Sequence, residues 1–236
     1  ARRVRTLDHG PSVRGIALSS DGRRLVSSGS LHSVMGGFLD TLKLWDWASG
    51  RLLHAFCNYK KTVNALRFSA DGRYVLTGGD ELLLWETQTG RVVQTFAGHV
   101  GDVGAVAFLP DGRRVLSAGD DGTVRLWELA SGRELAQLVG FNYGEWIAAT
   151  PEGYYEASAG GDARLNVRVG GAVYGIENYR EAFFRPDLVK IALGGGSLAG
   201  FRTLAQVALP PSVAIVDPPA SVSADRLTIR LRLKDN

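Results

Sequence analysis

An internal repeat of about 40 residues constrains this chain more than any other feature of its sequence. Asp-Gly recurs at 21–22, 71–72 and 111–112, and a tryptophan follows each pair, at positions 45, 85 and 127. A second turn sequence, Ser-Gly or Thr-Gly, occurs at 49–50, 89–90 and 131–132. Self-similarity at a fixed spacing is typical of chains that stack copies of one supersecondary unit.

Each repeat contains four short stretches with the composition of β-strands. In the third copy these are VGAVAF, RRVLSAG, TVRLWE and RELAQL. The first is apolar and β-branched, as a strand buried on both faces should be, and the third alternates. Glycine in the intervening turns tolerates the positive φ of tight connections between antiparallel strands. We therefore expect an all-β fold with four antiparallel strands per repeat.

The repeat pattern predicts an incomplete unit at each end of the repeat array. Three complete copies cover 9–56, 57–96 and 97–138, and the N-terminal RRVRTL at 2–7 matches the fourth strand of each copy. EWIAATPEGYYEASAGGD, at 145–162, aligns with the first half of the third copy. The residues after this stretch lack the tryptophan and the second turn. We therefore expect a degenerate fourth unit over 141–170.

Four strands per repeat, with a tryptophan near the end of the third, resemble the WD40 repeat of β-propellers. The resemblance implies that residues 1–170 form propeller blades and that strand 2–7 is an outer strand completing the last blade. A ring of seven blades needs about 280–300 residues. The sequence alone leaves two alternatives open: a fragment of a longer propeller, or a small ring that closes on itself.

The composition changes after residue 170. NYREAFFRPDLVKIALGGG places apolar residues at helical spacing, with Pro186 suited to a helix start and Gly194 to its end. We expect a short helical linker over 171–209. In the segments VAIVDPP and LTIRLRL, apolar and polar residues alternate, and proline and aspartate residues bound the segments. We therefore interpret 210–236 as the start of an immunoglobulin-like β-sandwich domain.

The order of these segments carries a second resemblance. WD40 repeats, then TPEGYY, then FFRPDLV and a Pro-Pro-led β stretch are similar to bacterial multidomain proteins that join a WD40 propeller to a caspase-like peptidase domain. This resemblance implies a bacterial source. It also implies an effector domain that would lie downstream of residue 236.

WD40 blades contain a hydrogen-bonded structural set of histidine, serine or threonine, aspartate and tryptophan. The third repeat has all four residues, the first has no aspartate, and the second has Tyr59 in place of the histidine. We therefore interpret His99, Ser117 and Asp121 as structural rather than as a catalytic triad, and no G-x-S-x-G motif is present. The predicted blade network comprises His9, Ser27, Trp45, Trp85, His99, Ser117, Asp121 and Trp127.

Other reactive residues do not form a recognisable site in the sequence. Cys57, the single cysteine, lacks the Gln-Ala-Cys context of caspase-type enzymes and is interpreted as a packed thiol. The histidines, at 9, 32, 54 and 99, are scattered rather than spaced as metal ligands. Gly194 to Gly196 lack the lysine of a phosphate-binding loop. We therefore expect no enzyme activity, no metal and no cofactor.

Charge and hydropathy restrict the partners. The net charge is +3 with arginines spread along the chain, which does not favour nucleic-acid binding. No apolar run approaches the roughly 18 residues of a membrane span. A single cysteine is compatible with a cytoplasmic location, which we expect.

The predicted function is a non-catalytic protein-interaction scaffold or sensor that regulates or recruits for the downstream effector. In WD40 propellers, ligands often bind the face where the first strand of each blade begins. The insertion at 30–40, with Met35 and Phe38, either adds an apolar contact or is inert. The alternative function is a structural module that oligomerises through open blade edges. The predicted face, for a protein or peptide, comprises Ser12, Arg14, Thr62, Asn64, Asp102, Gly104 and Glu145.

Overall fold

The computed structural model describes residues 6–10, 12–32, 38–56, 62–169, 172–206, 212–216 and 230–234. Each of the three complete repeats forms four consecutive antiparallel strands, which we call a blade. The first blade contains β1 (Gly15–Leu18), β2 (Arg24–His32), β3 (Phe38–Asp46) and β4 (Leu52–Phe56). The second contains β5 (Val63–Phe68), β6 (Tyr74–Gly79), β7 (Leu82–Glu86) and β8 (Val92–Phe96). The third contains β9 (Val103–Phe108), β10 (Arg114–Gly119), β11 (Thr123–Glu128) and β12 (Glu134–Gly140).

The Asp-Gly turns are stabilised by hydrogen bonds that the aspartate side chain accepts from residues of the same turn. In the second blade, Asp71 Oδ1 accepts hydrogen bonds from Ser69 Oγ at 2.6 Å and from the Arg73 N–H at 3.0 Å. Gly72 follows with φ of 68°, a conformation that side chains disfavour. These hydrogen bonds keep the pKa of Asp71 below its usual range, with the Ser69 hydroxyl contributing most.

Consecutive blades stack through apolar faces. We call the side of a blade that looks toward the preceding blade its backward face, and the opposite side its forward face. Val63 and Leu66, on the second blade's backward face, pack with Leu42 and Leu44 of the first blade's forward face. Each of these four side chains is at most 2% exposed. An equivalent cluster joins the second and third blades, so inter-blade cohesion rests on buried apolar area.

The stretch predicted as a separate fourth blade extends the third sheet instead. β13 (Trp146–Ala149) pairs with β12, and β14 (Tyr155–Ala157) pairs with β13, which gives a six-stranded sheet. The separate unit over 141–170 is therefore a correction to the sequence-based expectation. The strands that follow β14 pair with each other rather than with β14, and the long β12 offers β13 an edge. β15 (Asn166–Val169) and β16 (Ala172–Gly175) form a separate two-stranded hairpin.

The helices belong to the core of this extended sheet. α1 (Arg180–Phe183) precedes α2 (Pro186–Leu193), which begins at a proline and ends at Gly194. Leu188 and Val189 are buried with Tyr155 and Phe183, and Arg114 of β10 donates to the carbonyl of Leu193. The apolar side of α2 thus packs on the sheet, unlike a helix in an open linker. No helix in the described ranges is long and apolar enough to cross a membrane.

The C-terminal stretch is described over two strands. β17 (Ser212–Val216) and β18 (Arg230–Lys234) pair antiparallel, and the rest of the sandwich predicted over 210–236 lies outside the described residues. Most of the predicted outer strand 2–7 also lies outside them, as do Met35, Cys57 and Tyr59.

Two backbone segments of the second blade approach each other closely at Gly79. A Cβ at this position would lie 1.7 Å from the carbonyl oxygen of Thr62, and the equivalent Gly29 makes the same approach to Ser12. We expect Gly79→Ala to lower the free energy of unfolding by about 3 kcal/mol, because the backbone must shift to admit the methyl group. Urea denaturation followed by circular dichroism measures the change.

Gly104→Ala is the matched control, because a Cβ there meets nothing within 4 Å. We expect its unfolding free energy to stay within about 0.5 kcal/mol of the parent chain. Equal stability of the two variants would contradict the tight approach at Gly79.

Candidate partner-binding face

The third blade contains a continuous polar network beneath its surface. Trp127 Nε1 donates to Ser117 Oγ at 2.8 Å, and Ser117 Oγ lies 2.7 Å from His99 Nε2. His99 Nδ1 lies 3.0 Å from a carboxylate oxygen of Asp121. Because Asp121 can only accept, His99 donates from Nδ1 and accepts the Ser117 hydroxyl proton at Nε2. The network links β9's preceding loop to β10 and β11.

Asp121 is held as a carboxylate by its neighbours. Its side chain is only 11% exposed, and burial opposes the charge. Hydrogen bonds from Thr123 Oγ1 at 2.7 Å, the Val100 N–H at 3.1 Å and His99 outweigh that penalty. They hold the pKa of Asp121 well below its usual range. The negative charge is therefore part of the folded blade at neutral pH.

The first blade builds a related network around His9. Trp45 Nε1 donates to Ser27 Oγ at 2.8 Å, and Ser27 Oγ lies 2.6 Å from His9 Nδ1. His9 Nε2 contacts Thr41 Oγ1 at 3.0 Å, so the ring presents the opposite nitrogen to the serine from that in the third blade. Burial, then the nearby Lys43, lowers the pKa of His9, which favours a neutral imidazole.

Among the residues that the structure describes in the second blade, the network consists of its tryptophan end. Trp85 Nε1 donates to Thr77 Oγ1 at 2.9 Å, and Thr77 is fully buried. In the third blade, Ser117 is 1% exposed and already bonded to both His99 and Trp127. A hydroxyl so enclosed is positioned to tie strands together and is out of reach of a substrate. The geometry thus favours a structural role for these residues.

Six of the seven residues predicted to bind a partner flank the starts of the first strands of the blades. β1, β5 and β9 contact one another in sequence, and the Asn64 amide donates to Asp102 Oδ2 at 3.3 Å across the second and third blades. Arg14, Asn64 and Gly104 are exposed. Ser12, Thr62 and Asp102 are half-buried. The starts of these strands therefore present a polar surface, formed by Ser12, Arg14, Thr62, Asn64, Asp102 and Gly104.

Glu145 does not belong to this surface. It precedes β13, which lies at the outer side of the third sheet, beyond β12. Its carboxylate accepts hydrogen bonds from Ser158 Oγ and from the Gly160 N–H, and these lower its pKa, with the serine contributing most. The prediction that Glu145 begins an innermost strand is wrong, because the register of β13 on β12 places it elsewhere.

Sequence reasoning missed two grooves at the opposite end of the blades. A groove of about 530 Å³ between the second and third blades is lined by apolar atoms of Tyr74, Leu84 and Val93 and by Arg113 and Glu128. A second groove of similar volume lies between the first and second blades, with Arg73 and Glu86 at the matching repeat positions. The available signal was the arginine that follows each Asp-Gly pair and the acidic residue that follows each repeat tryptophan, which is aspartate in the first repeat and glutamate in the other two.

Metal-ligating residues do not gather in the part of the chain that the structure describes. No group of three or more histidine, cysteine, aspartate or glutamate side chains lies together there.

Comparisons with known proteins agree with this architecture. The family described as "WD domain, G-beta repeat" matches residues 1–46, 50–83 and 90–128, just over half of the chain. No curated protein sequence matches significantly.

Solved structures are similar in fold. "Structure of U3-55K" has 21% identity and a TM-score of 0.52, covering 65% of this chain and 54% of that one. "Crystal structure of RRP9 WD40 repeats" has 23% identity and a TM-score of 0.51, covering 62% of this chain and 47% of that one. The chain spans about half the length of these structures.

Removing the hydroxyl of Ser117 should lower the free energy of unfolding more than removing that of Thr77. Ser117→Ala leaves both the Trp127 N–H and a His99 nitrogen unpaired in a buried site, so we expect a loss of about 2–3 kcal/mol in unfolding free energy. Thr77→Val keeps the volume and leaves one donor unpaired, so we expect about 1 kcal/mol. Urea denaturation of both variants provides the comparison, and equal losses would argue against the larger network.

Asp121→Asn should destabilise the chain in a pH-dependent way. Because the folded pKa lies below the unfolded value of about 3.9, the charge contributes its full stabilisation above about pH 5 and loses it as the pH falls further. We expect a deficit of about 1–2 kcal/mol at pH 7 that narrows below about pH 4.

Thermal or urea unfolding from pH 3 to pH 8 measures that deficit, with the exposed neighbour substitution Asp120→Asn as control. A constant deficit across this range would show that the Asp121 charge is not the stabilising element.

Proposed function

This chain belongs to the WD40 repeat family, and we propose from that premise that it is a non-catalytic scaffold that binds a protein or peptide on the polar surface where the blades begin. Members of this family are typically non-enzymatic interaction modules. The observation that carries the proposal is the exposed polar set at the starts of β1, β5 and β9, joined by the Asn64–Asp102 hydrogen bond.

The mixed character of this surface suits a polar partner. Arg14 supplies a cation, Asp102 an anion, and Asn64 both a donor and an acceptor. The side chains project from strand ends that the buried inter-blade clusters hold in place, so the backbone loses little conformational entropy on binding. A peptide with alternating charges and hydrogen-bonding groups matches this arrangement.

The module's wider role is also part of the proposal. We infer that partner binding here regulates or recruits for a caspase-like effector domain in a bacterial multidomain protein, and that it does so in the cytoplasm. The order of the WD40 repeats, TPEGYY at 150–155 and FRPDLV at 184–189 supports this interpretation.

Charge reversal at the surface tests partner binding. Peptides selected from a display library against the whole chain should lose at least tenfold in affinity with Arg14→Glu, because a cation contacting the partner becomes an anion. Isothermal titration calorimetry gives the dissociation constants. Arg91→Glu is the matched control, since it reverses an exposed arginine at the turn between β7 and β8 of the second blade, the opposite end of the sheet.

Equal losses in both variants would indicate non-specific charge attraction and contradict the proposed surface. An enzyme with its site on the propeller is the competing hypothesis. Peptide hydrolysis by the purified chain that Cys57→Ala abolishes would support it.

A further inference from the structure

The groove between the second and third blades is open and largely apolar. Tyr74, Leu84 and Leu129 line it, together with Val93 of β8, which is 47% exposed. A smaller hollow of about 200 Å³ adjoins the groove, since it shares Tyr74 and Leu129 and has Phe108 as a further wall. These side chains belong to or pack against the buried cluster between the two blades. The groove therefore offers an apolar side chain a recess that continues into the core.

The groove between the first and second blades occupies the same place in the repeat and is bridged by polar side chains. Arg24 donates from Nη1 to Thr87 Oγ1 at 3.2 Å and to the Gly72 carbonyl at 3.4 Å, from one blade to the next. His54 Nε2 lies 2.9 Å from the carbonyl oxygen of Gln88, again across the two blades. A ligand in this groove would have to displace these hydrogen bonds, which lowers its net affinity.

Substitutions between the repeats account for the difference. Both grooves lie between complete blades, but Tyr74 stands at the repeat position of Arg24, and Leu129 at that of Thr87. Leu129 has no hydroxyl, so the Arg24–Thr87 hydrogen bond has no counterpart here. One cross-blade hydrogen bond in the open groove, from Gln94 to a carbonyl of the third blade, is 3.4 Å long. The opening thus follows from the side chains at these positions rather than from the blade geometry that both grooves share.

Arg113 gives the rim of the open groove a positive charge. Its side chain is exposed, and no ion pair found among the described residues includes it. The neighbouring carboxylates pair with other arginines. Asp111 lies 2.6 Å from Arg114, and Glu128 lies 3.7 Å from Arg133. A carboxylate on a ligand would therefore meet an available guanidinium at the edge of an apolar recess.

We propose that this groove binds a short extended segment of a partner protein in which a bulky aliphatic or aromatic residue is spaced by two from an aspartate or glutamate. Residues with this spacing point to the same side of an extended chain. The apolar side chain packs on Leu84 and Leu129, and the carboxylate pairs with Arg113. The site lies at the opposite end of the blades from the polar surface at the starts of β1, β5 and β9, so the two proposals are independent.

A random peptide library displayed on phage, selected against the whole chain, tests the proposal. Counter-selection uses the double variant Tyr74→Arg with Leu129→Thr, which copies the Arg24–Thr87 pair of the first groove. Counter-selection removes peptides that bind elsewhere on the chain. We expect the surviving peptides to share an apolar residue spaced by two from an acidic one.

Val93→Glu should weaken binding of the surviving peptides about tenfold or more, because it places an anion in the apolar wall close to the ligand carboxylate. Isothermal titration calorimetry gives the dissociation constants. Val92→Glu is the matched control, because Val92 is 41% exposed on the same strand and does not line the groove. It should leave the dissociation constant unchanged.

Three results would overturn the proposal. No peptide may survive the counter-selection, the surviving peptides may carry no carboxylate, or Val92→Glu may weaken them as much as Val93→Glu does. Surviving peptides that Arg14→Glu weakens and Val93→Glu does not would contradict it too, because they bind the polar surface.

Light scattering checks for a different occupant. A wild-type dimer that Val93→Glu dissociates would show that a second copy of the chain fills the groove, which would replace the proposed partner. Unfolding midpoints close to wild type confirm that the variants are folded. Leu129→Thr alone replaces the double variant in the counter-selection if the double variant is not folded.

Discussion

The structure depends on the burial of each blade's backward face against the forward face of the blade before it. A four-stranded sheet alone would expose two apolar faces, since Leu83 and Leu84 of β7 point to opposite sides and both are buried. Stacking covers both at once. The clusters around Leu66 and Val106 fix where the starts of the inner strands lie relative to one another.

Polar interactions act mainly within blades, and apolar ones between them. The Ser117 and Ser27 networks each join strands of one blade, whereas only scattered hydrogen bonds such as Ser20 Oγ to the Ala70 carbonyl cross from one blade to the next. The second blade shows both kinds of interaction. Its strands retain the Trp85–Thr77 bond, and its two faces are covered by neighbours.

The region after the third blade does not pack as another stacked blade. β13 adds to the outer edge of the third sheet, and α2 then packs beside it with Tyr155 and Phe183. A helix lying over part of a blade's forward face takes some of the area that a following blade would cover. The array therefore changes from stacked blades to a mixed layer at this point, and Arg114 links the two through the carbonyl of Leu193.

The sequence by itself determined the three blades and their strand order, because turn residues and strand periodicity are local signals. Asp71, Gly72 and Trp85 could be assigned from spacing alone. Only the tertiary structure decided that β13 joins β12 and that Glu145 lies off the predicted surface, since strand partners are chosen by free edges far apart in sequence.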